Sequence, residues 1–381
     1  GDDPGTFLMT DFLQVAEPGV GLDFLPGVLI PLLAVWVAVI VIMVAGVQKG
    51  IGTTAVFFIP LLVLAFLALV LRSLFLPGAA DGLNALFTPN WAALTDTAVW
   101  AAAFGQIFFS LSIGFGIMIT YASYVGRRTD MTGSGLVVGL SNSGFELLAG
   151  IGVFAALGFM AQANGVGVDG VVDQGLGLAF VAFPALISEA PGGAIIGVLF
   201  FGSLVIAGLT SLVSVIEVVI SAVRDKFDLT RVTASLAVGI PATVISVLAF
   251  GTTTGVPILD TMDHFINRFG ILFAAVVSMV AVTWIFRDLP GLRAHMNATG
   301  SIPLGQWWVA LVAVVTPAAL LFVLVREFID TVREPYGDYP AWLINTFGWG
   351  TAVAVVLLAF IVSRVPWNSR VSLQEPQEED Q

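Results

Sequence analysis

The sequence predicts an all-α polytopic membrane protein, and three observations carry that expectation. Of 381 residues, 58% are hydrophobic and only 10% are charged, whereas soluble domains carry about a quarter charged residues. Mean hydropathy is +1.00. Nine apolar segments, at residues 25–47, 51–76, 100–124, 135–161, 194–223, 232–250, 264–286, 307–325 and 341–362, are long enough to cross about 30 Å of hydrocarbon as helices.

Composition also excludes several functions. With no cysteine there is no disulfide framework and no thiolate metal site. A net charge of −12 without any basic run makes the lipid bilayer, and not nucleic acid, the expected partner.

Taken in order, residues 1–24 form an acidic loop with prolines and glycines, lacking the basic start and apolar core of a signal peptide. The chain begins with Gly1, and this opening reads as that of a fragment. Two spans fill 25–76, and five more lie between 100 and 286. Between the fourth and fifth spans, Gly175–Ser188 is apolar but short, which suits an outer capping or re-entrant segment better than a crossing. Two further spans occupy 307–362, and residues 366–381 form an acidic tail with no apolar pattern. If residues 1–24 lie outside, ten basic residues, among them Lys49, Arg127, Arg128, Arg231 and Arg370, fall in inner loops and four in outer ones. That asymmetry predicts an outer N-terminus and a cytoplasmic C-terminus in the cell membrane.

The third span differs from a plain anchor. Its middle, Ser110-Leu-Ser-Ile-Gly-Phe-Gly116, carries two hydroxyls and two glycines where an anchor would carry leucine. This composition predicts a helix that breaks halfway. Backbone groups freed at membrane depth cost several kcal/mol each unless protein, water or a ligand satisfies them, so a broken span points to a transporter's binding site.

Gln106-Ile-Phe-Phe-Ser-Leu-Ser-Ile-Gly-Phe-Gly116, followed by Ile119-Thr-Tyr-Ala-Ser-Tyr124, resembles the sixth transmembrane helix of the neurotransmitter:sodium symporter family, which includes bacterial amino-acid transporters. The resemblance extends over nearly the whole chain, whose nine spans read as the family's fourth to twelfth. It implies a LeuT-type fold in which the second five-helix inverted repeat, about 100–286, is complete and the first is truncated to 25–76. It also implies that the family's first three helices, which supply the other half of its site, are missing here.

In the fifth span, Ala207, Thr210 and Ser211 lie at i, i+3 and i+4 and share a helix face. Spacing alone leaves two readings open, close helix packing through small residues or convergent oxygens for a cation. The resemblance implies that these three ligate a second sodium. In the fourth span Asn142 and Glu146 share a face one turn apart, and an intramembrane carboxylate is either a hydrogen-bonded strut or a functional group. The resemblance implies that Asn142 and Ser110 ligate a first sodium, and that Glu146 stands where chloride-dependent relatives bind chloride. A carboxylate there implies chloride-independent transport, with Glu146 ionised when sodium is bound and protonated on the return step.

By the same resemblance, Phe109, Ser110, Ser112, Phe115, Ser211 and Val215 line a substrate pocket, with Phe115 as its lid. The apolar space suits an aliphatic or aromatic amino acid or a similar small amine. Asp263 corresponds to an outer-gate carboxylate, Asp225 to an inner-gate carboxylate and Tyr124 to the tyrosine beside it. Without the resemblance each aspartate is an ordinary solvated loop charge. Glu217 reads as a strut between helices. His264 and His295 are too far apart for a metal site.

Gly165-Val-Gly-Val-Asp-Gly170 matches a dinucleotide fingerprint but follows a membrane helix where a strand is required. There is no Walker loop, no nucleophile elbow and no zinc-protease motif. The reading is therefore a sodium-coupled symporter, not an enzyme, working by alternating access, with sodium ions as its cofactors and an oligomeric state open between monomer and homodimer. Two alternatives stand beside it: a non-transporting membrane subunit or regulatory remnant, and a related LeuT-type carrier with another substrate and coupling ion.

Overall fold

A computed structural model of the chain describes residues 4–46, 52–171, 178–184, 187 and 193–369. Lys49, Arg370, residues 175–177, 185, 186 and 188 of the expected capping segment, and the acidic tail from residue 370 lie outside these described residues.

Twelve helices position the site, numbered here in chain order. They are α1 (Pro26–Ala45), α2 (Thr53–Leu74), the short α3 (Ala79–Phe87), α4 (Thr97–Ser110), α5 (Ile117–Ala122) and α6 (Met131–Asn164). Then come α7 (Gly193–Phe227), α8 (Arg231–Phe250), α9 (Gly255–Ile285), α10 (Leu289–Thr299), α11 (Gln306–Arg333) and α12 (Ala341–Arg364). Eight of them are long and apolar enough to cross a membrane. These eight coincide with eight of the expected segments, and α4 with α5 form the interrupted ninth.

Several helices outrun their apolar segments. α9 starts at Gly255, not at 264, because its first turns carry Asp260, Asp263 and His264, whose polarity masks the helix from hydropathy. α7 and α11 likewise run on to Phe227 and Arg333 through charged final turns. Such ends lie beyond the hydrocarbon while keeping helical backbone.

Packing centres on α7, which contacts α1, α2, α5 and α8. Trp36, Val39 and Met43 of α1 close on Val213 and Ile220 of α7 and Ala234 of α8. On the other side Ala101 and Phe108 of α4 pack with Leu272 and Ala275 of α9 and with Leu320 and Val323 of α11. The two halves of the interrupted span therefore belong to different packing groups: α4 to α9 and α11, α5 to α7.

One buried charge ties four of these segments together. Glu217 of α7 is fully buried and accepts hydrogen bonds from Arg231 Nη1 and Nη2, each at 2.6 Å, and from the Tyr124 hydroxyl at 2.6 Å. Arg231 Nε in turn donates to the carbonyl of Met43 at 2.7 Å, at the end of α1. Removing one member of a buried ion pair costs about 3–5 kcal/mol, since the other is left uncompensated. Arg231→Met is therefore expected to lower the thermal unfolding midpoint in detergent sharply, and adding Glu217→Gln is expected to recover part of the loss. An unchanged midpoint in the single variant would show that Glu217 is not held by Arg231.

Candidate functional site: a cavity at the interrupted helix

The interruption is built from backbone geometry. The helical ladder ends with the Leu111 N–H on the Ile107 carbonyl and resumes with the Thr120 N–H on the Gly116 carbonyl. Between them Ser112, Gly114 and Gly116 take positive φ values of 51°, 85° and 79°, a conformation that costs non-glycine residues about 1–2 kcal/mol. The glycines also permit close contact. A Cβ at Gly114 would lie 3.0 Å from the Ile271 side chain and 3.1 Å from its carbonyl, and one at Gly116 would lie 2.9 Å from Val218. The turn is thus clamped between α9 and α7, and Ser112 keeps its strained φ there.

Beside the turn lies a cavity of about 530 Å³, within the roughly 300–1,000 Å³ usual for small-molecule sites. Phe109, Ser110, Ser112, Phe115, Ser211 and Val215 all line it, together with Thr210. Two stretches distant in sequence thereby converge: the end of α4 with the turn that follows it, and the middle of α7. The rings of Phe109 and Phe115 meet edge to face with centroids 6.0 Å apart. Both rings also line a second cavity of about 430 Å³ with Gln106, Asn267, Arg268, Arg326 and Glu327. The aromatic pair therefore stands between the two cavities. Arg268 and Glu327 form an ion pair across the second.

The oxygens singled out on α7 are close together. The Thr210 hydroxyl lies 3.0 Å from the Ala207 carbonyl and 3.0 Å from that of Ile206, to which it donates. This is the usual back-bond of a helical threonine; the hydroxyl and the carbonyl, with Ser211 next in sequence, form a neutral oxygen set. Asn142 Nδ2 donates to Ser110 Oγ at 2.7 Å, joining α6 to the last residue of α4. Glu146, one turn further along α6, is half-buried. Among the described residues, no group of three or more His, Cys, Asp or Glu side chains converges as a metal cluster would.

The candidate gate residues Asp263, Asp225 and Tyr124 line neither cavity. Asp263 accepts from Asn267 Nδ2 at 2.8 Å within α9. Asp260, one turn earlier, accepts from the hydroxyls of Tyr336 and Tyr339 at 3.0 Å each, and His264 stacks on Tyr336 with centroids 3.6 Å apart. Tyr124 reaches Glu217, while exposed Asp225 pairs with its neighbour Arg224 at 3.3 Å.

The model of the sodium:neurotransmitter symporter family matches residues 2–370. The chain belongs to that family. Its members are transporters and not enzymes, and the all-α membrane architecture is that of the LeuT-type fold. An "uncharacterized sodium-dependent transporter" of Methanocaldococcus jannaschii is 39% identical over 366 residues, which are 95% of this chain and 72% of that protein. The sodium- and chloride-dependent glycine transporter 2 of Xenopus laevis is 31% identical over 321 residues, 81% of this chain and 40% of its own. The sodium-dependent dopamine transporter of Bos taurus is 31% identical over 353 residues, 88% and 50% respectively. This symporter chain thus spans about half the length, or less, of its vertebrate relatives.

Some lining residues of this symporter cavity escaped the sequence reading. Ala55 and Ile59 of α2 carry no motif, and Tyr121 and Ser214 meet across 93 positions, a separation that no local pattern encodes. The one available signal was Ser214 itself, three residues after Ser211 on the same helix face. Arg231 as the partner of Glu217 was likewise invisible, because the two are joined through the turn between α7 and α8.

The clasp on Asp260 has a pH signature. Burial, then the Asp260 charge and hydrogen bond, push the Tyr336 phenol from 10.0 up to about 12 and the Tyr339 phenol higher still, for the same reasons. A raised folded pKa means that the clasp's contribution to stability is fully present below about pH 10 and is lost as pH rises through about 12. Part of the phenolate absorbance titration is expected to move to lower pH in Asp260→Asn, and an unaltered titration in that variant would remove Asp260 as the cause.

Proposed function

We propose that the protein is a sodium-coupled symporter that takes up an amino acid or similar small amine across the cell membrane by alternating access. The observation that carries this reading is the convergence of an interrupted helix, two phenylalanine rings and the Ala207–Thr210–Ser211 face on one cavity. Strained, partly unpaired backbone beside hydroxyls can bind a substrate's charged ends, and the apolar surface of Phe109, Phe115 and Val215 suits an aliphatic or aromatic side chain. Ser110 and Asn142 would hold one sodium, and Ala207, Thr210 and Ser211 the other. Each sodium charge moving inward through about 100 mV releases about 2.3 kcal/mol, which drives substrate uphill without bond chemistry.

In this arrangement Phe115 is the lid between the two cavities, Asp263 belongs to an outer gate, and Tyr124 and Asp225 to an inner one. The N-terminal end of α1 faces outward. Glu146 supplies in situ the negative charge that would balance the cations, so transport is independent of chloride.

The test is uptake of radiolabelled amino acids by liposomes containing the native gene product, with and without an inward sodium gradient. Sodium-dependent accumulation is expected, and its absence across the apolar amino acids and simple amines would overturn the reading in favour of a non-transporting subunit. Asn142→Ala and Thr210→Ala are each expected to raise the sodium concentration for half-maximal uptake by about tenfold or more, because each deletes an oxygen ligand whose loss leaves a desolvated cation short of a partner. Unchanged sodium dependence in either would remove that residue from its site. Replacing chloride by gluconate should leave uptake by the native protein unaltered while abolishing it in Glu146→Ser; a variant still indifferent to chloride would refute the charge-substitution role.

A further inference from the structure

The half-helix α5 and the long helix α7 are joined by two tyrosine hydroxyls in matched register. Tyr121 of α5 donates to Ser214 Oγ at 2.8 Å, and Tyr124, in the turn just after α5, donates to Glu217 at 2.6 Å, a step of three residues on each side. The two rungs differ in kind. The Tyr124 rung ends on a fully buried carboxylate already held by Arg231. The Tyr121 rung joins two neutral hydroxyls, and both of its residues line the 530 Å³ cavity. One rung ends on a charge and the other is a contact that a single neutral hydrogen bond maintains.

The Tyr121 rung is also connected onward. Ser214 Oγ donates to the Thr210 carbonyl at 3.0 Å, and the Thr210 hydroxyl belongs to the neutral oxygen set with the Ala207 carbonyl. A serine hydroxyl has one proton. With that proton committed to Thr210, Ser214 presents only lone pairs to the cavity, and Tyr121 must be the donor. The chain of bonds from Tyr121 through Ser214 to Thr210 therefore has one direction.

We propose that Tyr121 and Ser214 are a positioning pair that latches the floor of the cavity shut while a cation occupies the Ala207–Thr210–Ser211 face. The proposal rests on the symporter reading above. A cation drawing on Thr210 and Ala207 fixes that turn of α7, keeps the Ser214 proton on the Thr210 carbonyl and holds its lone pairs toward Tyr121. Departure of the cation loosens the turn, and the Tyr121 rung can then part from α7. Neither residue touches the ion; both act through Thr210.

The absence of cysteine in the chain allows a single reporter thiol. Ala55→Cys places it in the cavity wall, and a membrane-impermeant maleimide is applied to liposomes from the side of Tyr124 and Arg231. Sodium is expected to slow labelling of the native background. Tyr121→Phe and Ser214→Ala should each label about 2- to 10-fold faster in sodium, the range that loss of one neutral hydrogen bond gives. The double variant should be no faster than either single one, because both delete the same bond, and Ser214→Thr, which keeps the hydroxyl, should stay close to the native rate. The sodium half-saturation of uptake should rise in the two single variants while that of substrate holds, a split that general loosening of the fold does not produce. Native labelling rates in both single variants, or additive effects in the double one, would overturn the latch even with sodium protection intact. Failure of sodium to protect the native background would instead strike the symporter reading itself.

Discussion

A helix interrupted at membrane depth leaves backbone amides and carbonyls without intrahelical partners, and at several kcal/mol for each such group in hydrocarbon the surroundings must answer for them. The arrangement around residues 111–116 follows from that constraint. α9 closes on the turn from one side through Ile271 and Ala275, and α7 from the other through Val218, leaving a Cβ at Gly114 or Gly116 little room. The remaining side is the cavity. Polar backbone that lipid would reject is thus either covered by protein or turned to a space of molecular size, which is the one other place it can persist. The strained φ of Ser112 belongs to the same economy, since backbone strain survives where packing on both sides leaves the chain no easier path.

The break also divides the mechanics of the molecule. α4 packs with α9 and α11, whereas α5 is bonded to α7. A continuous helix would transmit any tilt of one packing group to the other; an interrupted one lets each half follow its own neighbours. Helix α7 carries the consequences, because the neutral oxygen face, the Val215 wall, Ser214 and Glu217 lie in succession along it. The buried charge near its end, shared by Tyr124, Arg231 and the Met43 carbonyl, ties the α5–α7 contact to α8 and α1.

How far the sequence revealed this depended on the kind of contact. The spans were legible because hydrocarbon thickness demands about 20 apolar residues in a row, and their ends were not, because helical backbone continues through Asp260, Asp263 and His264 after hydropathy has fallen. The interruption was legible because Ser110–Gly116 breaks the apolar run at its centre. Six of the residues that line the cavity were reached through resemblance to a family, and nothing in their spacing alone would have brought Phe109 to Ser211 or Val215. Contacts between distant elements without a motif stayed hidden. Arg231 looked like one more basic residue counted for orientation, and Tyr121 like one more aromatic ring in a span.

These hidden contacts share a feature that bears on how such a carrier can switch. Each joins a hydroxyl or a charge on one helix to a partner that is itself bonded elsewhere: Tyr121 to a serine committed to Thr210, Tyr124 to a glutamate committed to Arg231, Tyr336 and Tyr339 to one carboxylate. In a low-dielectric interior such linked bonds reinforce one another, and a half-satisfied network is costlier than none. A change at one member is therefore passed on as loss or gain of a neighbouring bond and is not absorbed locally. Apolar helix faces, such as the widely exposed flank of α12, slide on lipid with no such preference. A few polar links set among many indifferent apolar contacts therefore decide which helix faces meet, and of these links the one between Tyr121 and Ser214 lies in the wall of the cavity.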